Sequence, residues 1–572
     1  MVVVVGFFAF EVVTAGLALT TARDQAQRFQ EQLAHGDLAG ARATAADLRR
    51  SADRAHGRTD DPLWGAAGRL PVVGQTFRAV QAAAAGIDVV ARDAVPAATR
   101  LAGALQQGAF RPRHGAIALA PIQDLAPSVQ RAAGALVTAH DDLARIDPDN
   151  VLSPVRDTYR HLQQQVSSAS SAADAAATTV QLLPGMLGAD GPRSYLLLVQ
   201  NNAEIRATGG MAGSWAVLHA DHGRVRMGLQ GADTDMPAVP HRAAAPVPQP
   251  VRDIYGSDLG TDFRDINFDP DFPEVARMAA GMLRHDHHVR VDGVVAVDPV
   301  ALAHVLDGTG PVPVRFQGRS TTLTGGDVVD TLLSKVYLTI QDGQLQNDFF
   351  NAAARAVFEG VTRGHGDARR VTEGLVTAAD RGRILVWSRH ADEQGLLRST
   401  RVSGGLPDGS GEAPQVGVYL NDATATKMEY YLRVGSRVTS TGCSPSGMQT
   451  LRSRVVLRST APKDAARLSP YVTGPGTFAP LGSMRLNAWL YGPTGGEIVS
   501  VLRDGHTITV SADRHHDRQV TPVPVLLRPG QRVVITSTMR SGAHQAGDPV
   551  LTSTPTVQEA PNRATATSIC GD

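Results

Sequence analysis

The sequence predicts a multidomain protein with an N-terminal transmembrane helix, an α-helical stalk or bundle, an α/β domain and a C-terminal β-sandwich. Three observations predict it. Residues 1–22 (MVVVVGFFAFEVVTAGLALTTA) are apolar apart from Glu11 and a few threonines. Residues 23–180 place apolar side chains at helical spacing. Beyond residue 190 short apolar strands alternate with helical segments, and beyond residue 415 strand-like segments recur alone. The expected boundaries are 1–22, 23–180, 190–395 and 415–572.

The first segment has about the length a helix needs to cross ~30 Å of hydrocarbon. No basic residue precedes the apolar run, and Ala-Leu-Thr-Thr-Ala is a poor cleavage site, so a retained anchor is expected rather than a signal peptide. The expected localisation is a single-pass position in the cell membrane, with the bulk of the chain extracytoplasmic. Glu11 is costly in lipid and calls for a partner helix or a shallow position.

Composition narrows the class. Of 572 residues 42% are hydrophobic and 19% charged, ordinary for a chain that buries a core. The formal net charge is zero, so nothing points to a nucleic-acid partner. Lys335, Lys427 and Lys463 are the only lysines, and the excess of arginine, alanine and glycine points to a GC-rich, actinobacterial source. Cys443 and Cys570 fall in one predicted β-domain and fit a single disulfide of an oxidising compartment.

In the second segment Pro62, Pro71, Pro96, Pro112, Pro121 and Pro154 divide the chain into several helices. Residues 194–200 (SYLLLVQ) form an apolar run without polar alternation, which suits a buried central strand. Residues 214–219 and 224–229 read as the next strands, joined by an Asp221-His222-Gly223 turn. Helices are expected over 274–285, 299–306, 327–337 and 349–360, and strands over 289–298 and 383–388. After a Gly/Pro/Ser-rich linker at 403–414, period-two segments separated by short turns give the β-sandwich.

The densest polar cluster is 200–213 (QNNAEIRATGGMAG), directly after the first strand. Ligands in open α/β sheets bind beyond the carboxyl ends of strands, so Asn201, Asn202, Glu204 and Arg206 are ligand-binding candidates. Arg206 has the fork suited to phosphate or carboxylate; a structural turn in which it pairs with Glu204 is the competing expectation. A second cluster, 261–271 (TDFRDINFDPD), holds four carboxylates with Arg264 and Asn267. Arg264 and Asn267 join the ligand-binding candidates, and Asp265 and Asp269 are candidate metal ligands, although Asp269 also fits a helix cap. Asp298 ends a strand and can reach the same edge, which makes Arg206, Asp265 and Asp298 the candidate catalytic set. His285, His287 and His288 sit in a polar turn and read as solvated. Serine-hydrolase elbow, Walker A, zincin and C-x-x-C motifs are absent, so hydrolase, nucleotide and zinc classes gain no support.

The strings NNAEIRATGG, FRDINFDPDFPEVA, VDGVVAVDPVALAHVLDGTGPV and ILVWSRHADEQ, with NDATATKMEYYL and SPYVTGP further on, resemble a bacterial family, domain of unknown function 4012. The resemblance spans about 20–572. It implies a single-pass extracytoplasmic protein associated with surface polysaccharide production, with polysaccharide export or assembly proteins as partners. The α/β domain is also similar to LytR-CpsA-Psr proteins. Those transfer glycopolymers from polyprenyl-pyrophosphate carriers, with arginines on the pyrophosphate and aspartates with Mg²⁺. Asp298 and Gly310 keep part of that pattern, and Asp265 stands beside Arg264. The helix start at 342–350 (DGQLQNDFF) departs from it, with Gln346 and Asn347 in place of arginines.

Two functions follow. One is a cell-envelope protein that binds or scaffolds surface polysaccharide or glycopolymer assembly, with a polyprenyl-phosphate-linked glycan as ligand. The other is a transferase of the LytR-CpsA-Psr kind, for which Mg²⁺ would be the cofactor. The missing arginines and the added β-sandwich favour the first.

Overall fold

The computed structural model describes residues 21, 24–33, 35–60, 62–71, 73–113, 115–236, 245–558 and 562–570. The chain forms two compact units, 1–191 and 192–572. The first is helical, with α1 (Leu38–Thr59), α2 (Gly74–Val89), α3 (Val95–Gln106), α4 (Ala120–Ala144) and α5 (Ser153–Met186). Pro96, Pro121 and Pro154 lie in the first turns of α3, α4 and α5, where the missing N–H costs no hydrogen bond. Small apolar faces close the bundle, with Leu48, Phe77, Val80, Leu143 and Tyr159 at its centre.

The transmembrane expectation is corrected here. Among the described residues no helix is long and apolar enough to cross a membrane. The longest, α5, has 34 residues but carries Arg156, Asp157, Arg160, His161 and Asp174 along its length. Residues 1–20 and 22, on which the anchor was placed, lie outside the described residues. The N-terminal membrane helix and the single-pass localisation built on it are therefore withdrawn.

The second unit opens with β1 (Arg193–Asn201), β2 (Met211–Asp221) and β3 (Arg224–Ala232). It continues through α6 (Phe272–His287), β4 (Gly293–Val297), α7 (Pro299–Thr309) and the small hairpin β5 (Val312–Phe316) and β6 (Arg319–Leu323). Next come α8 (Gly343–Thr362), α9 (Ala368–Asp380) and β7 (Ile384–Ser388). The main sheet has the order β3-β2-β1-β4-β7. Only β1 and β4 run parallel; the other neighbours are antiparallel.

Strand alternation divides this sheet cleanly. Leu196, Leu198, Trp215, Val217, Val294, Ala296, Leu385 and Trp387 face one side and pack with Phe272, Met278 and Leu283 of α6. Leu197, Val199, Ser214, Leu218, Val297 and Ile384 face the other, toward α7 and α8. Both faces of β1 are apolar because both are covered.

The remainder is a sandwich. One sheet orders β13-β12-β16-β10-β9 and the other β14-β15-β11-β8-β17-β18. Its elements are β8 (Gln415–Asp422), β9 (Leu432–Cys443), β10 (Gln449–Ser459), β11 (Met484–Thr494), β12 (Glu497–Arg503) and β13 (His506–Ile508). These are followed by β14 (Arg514–His515), β15 (Arg518–Leu527), β16 (Arg532–Arg540), β17 (Val550–Ser553) and β18 (Arg563–Thr565). Val418, Leu420, Leu451, Val455, Leu486, Leu490, Val523 and Ile535 fill the space between the sheets. The expected Cys443–Cys570 disulfide is present, with Cα atoms 5.1 Å apart.

Candidate functional site

The polar string after β1 is folded inward. Its Ile205 enters the sandwich core. Asp422 donates its amide to the Ile205 carbonyl at 2.9 Å, and the Ala207 amide donates to Asn421 Oδ1 at 2.8 Å. Thr554 donates to the Ala207 carbonyl at 3.0 Å. The segment joins the α/β sheet to the sandwich. Gly210 is required there, because a Cβ would land on the Asn201 carbonyl and the Asn202 amide.

Within the joint the charges pair with one another. Arg206, 4% exposed, reaches Glu204 at 3.1 Å and Asp265 at 3.7 Å and lies 4.6 Å over the Phe268 ring. Glu204 also binds Lys427. Burial opposes the Glu204 charge, but Lys427 and Arg206 hold its carboxyl below the ordinary value. Asp265 is less well served: burial pushes it up to about 6, against the pull of Arg206. Arg206 is thus a buried partner of two carboxylates and does not stand at a crevice rim.

The other sequence candidates fall around this network. Asn201 donates to the Tyr337 hydroxyl at 2.6 Å. Asn202 donates to Asp298 at 3.0 Å. Asp298 caps α7 by accepting from the Ala301 amide at 2.7 Å, and binds Arg383 at 2.7 Å. Arg383 in turn donates to the Thr556 carbonyl at 2.8 Å. The structure therefore brings Arg206 and Asp265 together, while Asp298 belongs to a separate buried pair. Arg264 pairs with Asp262 at 2.6 Å on the surface. Asn267 is buried and donates to the Gly210 carbonyl. Asp269 accepts from the Asp271 amide at 2.9 Å, and burial with the nearby Asp271 charge raises its carboxyl well above the usual range. No group of three or more histidine, cysteine or carboxylate side chains among the described residues is arranged to hold a metal ion.

A cavity of about 700 Å³ lies over the second face of the sheet, beneath α8. Leu197, Val199, Leu218, Met227, Val297, Leu302, Val305, Phe350, Val357, Phe358 and Val361 make its wall apolar. Its polar lining comes from neighbouring places: Gln200 and Asn201 at the carboxyl end of β1, Asp233 and Thr234 after β3, Gln346 and Asn347 in the first turns of α8, and Tyr337 and Lys427. Burial pushes the Tyr337 hydroxyl up to about 12, so it stays a neutral donor. Burial disfavours the Lys427 charge, yet Glu204 holds its ammonium above the ordinary value. Lys427 is the only cation among the described lining residues. Of the ligand-binding candidates, Asn201 alone lines this cavity. Lys427, Tyr337 and Asp233 escaped sequence reasoning because nothing local marks them. Gln346 and Asn347 were noticed only as a departure from arginine.

Residues 190–337 match the family model described as Protein of unknown function (DUF4012). No curated protein matches the chain. A crystal structure of a transcriptional regulator from Enterococcus faecalis is similar at 12% identity, over 38% of this chain and 74% of its own, with a TM-score of 0.20. That score is too low for the likeness to carry an argument. The family match runs from just before β1 to Tyr337 and includes the joint segment and the 261–271 cluster.

Proposed function

We propose that the protein binds a long-chain amphiphile, of the lipid-linked glycan class, and serves glycopolymer assembly as a binding or scaffolding component. The observation that supports this reading is the cavity of about 700 Å³ with an apolar wall and a grouped polar lining. Ligand sites are of roughly 300–1,000 Å³ and are mostly apolar with a few placed polar groups. An apolar chain would displace water from the sheet face, and amides with one ammonium would meet a polar head. The transferase reading draws less support, since Arg206 is held by Glu204 and Arg383 by Asp298 in separate buried pairs.

The test is displacement of a fluorescent long-chain probe from the purified chain by farnesol, with Ala354→Trp as the blocking variant. Ala354 lines the cavity from α8. The wild type is expected to bind, and the variant to lose about tenfold or more in affinity, upward of ~1.4 kcal/mol, with its melting transition retained. A wild type that ignores the probe, or a variant that binds as well as wild type, overturns the reading.

A further inference from the structure

The geometry points to a head group bearing a single phosphate: the cavity is matched to a monophosphate amphiphile and discriminates against the diphosphate, with Lys427 as the residue that reads it. This rests on the binding reading above and specifies its ligand.

Charge counting carries the argument. Among the described lining residues Lys427 is the one cation and Asp233 the one carboxylate. Burial raises the Asp233 carboxyl above its ordinary value, and as a carboxylate it adds to the repulsion of a more highly charged head group. A monophosphate ester brings one or two negative charges to one ammonium; a diphosphate brings more, with no further cation to meet them. The nearby guanidinium groups are not spare. Arg206 lies on Glu204 and Asp265, Arg383 on Asp298 and two carbonyls, and neither lines the cavity. A buried charge left without a partner is costly, so the second phosphate is penalised.

The network also lets Lys427 change partner. Its ammonium binds Glu204. Glu204 is held at the same time by Arg206 at 3.1 Å. When a phosphate reaches Lys427, Glu204 retains Arg206 and is not stranded. Tyr337 offers a neutral hydroxyl beside it, its ring 5.6 Å from the ammonium. Asn347 adds a side-chain amide to the same lining, while the amides of Asn201 and Gln346 are engaged by the Tyr337 hydroxyl and the Ile340 carbonyl.

The experiment compares farnesyl monophosphate, farnesyl diphosphate and farnesol as competitors of the same probe on the full chain. Monophosphate should bind about 10- to 100-fold more tightly than farnesol, the worth of one charge-assisted hydrogen bond, and more tightly than diphosphate. Lys427→Met should erase the advantage of the monophosphate over farnesol. Should that variant fold poorly, Glu204→Gln/Lys427→Met removes both partners and is expected to give the same loss. Diphosphate binding as well as monophosphate, or a monophosphate advantage that survives loss of Lys427, overturns the inference while the pocket stands. If none of the three competes, the pocket reading falls and this inference with it.

Discussion

Asp265 sits between two arginines, yet its side chain is 27% exposed and its carboxyl is pushed up to about 6. Arg206 is already engaged by Glu204, and Arg264 by Asp262, so burial outweighs what attraction remains. The folded pKa lies above the unfolded value of about 3.9. Stability from the bound proton is then fully present below about pH 4 and lost as pH rises through about 6. Asp265→Asn should remove that slope. Between pH 4 and pH 7 the variant should gain about 1–3 kcal/mol relative to wild type, since one pKa unit is worth about 1.4 kcal/mol. Denaturant midpoints at both pH values check this; parallel profiles would refute it. At this scale the sequence was partly legible. The Glu204–Arg206 pair could be read from spacing alone. Lys427 could not, because it reaches Glu204 across 223 residues of chain.

Among the elements, the parallel pair β1 and β4 positions most of the joint. Their carboxyl ends adjoin, which is why Asn202, just past β1, meets Asp298, just past β4. Asp298 does two things there: it caps α7 and it binds Arg383, which precedes β7. The Asp298 and Arg383 side chains are 1% and 2% exposed. Removing one partner of such a pair costs about 3–5 kcal/mol, because the other charge is left buried and alone. Arg383→Met should lower stability by that amount, and adding Asp298→Asn should recover part of it. A loss under about 1 kcal/mol would mean that the pair is dispensable. Long apolar elements such as β1 were readable because both their faces are covered. The β17 strand was not: it has four residues and pairs with β8, far back in the chain. The cavity was equally hidden. Strand-end reasoning led toward the loop after β1, whereas the loop is filled by the sandwich and the open volume lies over the sheet face.

Over the whole second unit, residues 562–570 are secured covalently as well as by strand pairing. Cys443 closes β9, and Cys570 follows β18. These strands are edges of opposite sheets, so the bond staples the sandwich at its open side. Hydrogen bonds add to it: β18 pairs over three residues with β17, the Ala566 amide donates to the Pro549 carbonyl at 3.1 Å, the Ser568 amide to Asp548 at 2.8 Å, and the Ser568 hydroxyl to the Ala546 carbonyl at 2.6 Å. The two cysteines are 127 residues apart, and a loop of that length gives about 5 kcal/mol in the chain-entropy model. Cys443→Ser/Cys570→Ser should therefore lower the unfolding free energy by up to about 5 kcal/mol. The first consequence should be local: amides of 562–570 should exchange faster, while those of β8, β10 and β11 keep their protection. Because β17 lies between β18 and β8, loosening must pass through it before reaching the joint at Thr554. The variant should thus retain the buried charge network under native conditions and unfold at lower denaturant. Unchanged unfolding and unchanged tail exchange in the double serine variant would show that strand pairing alone holds the end.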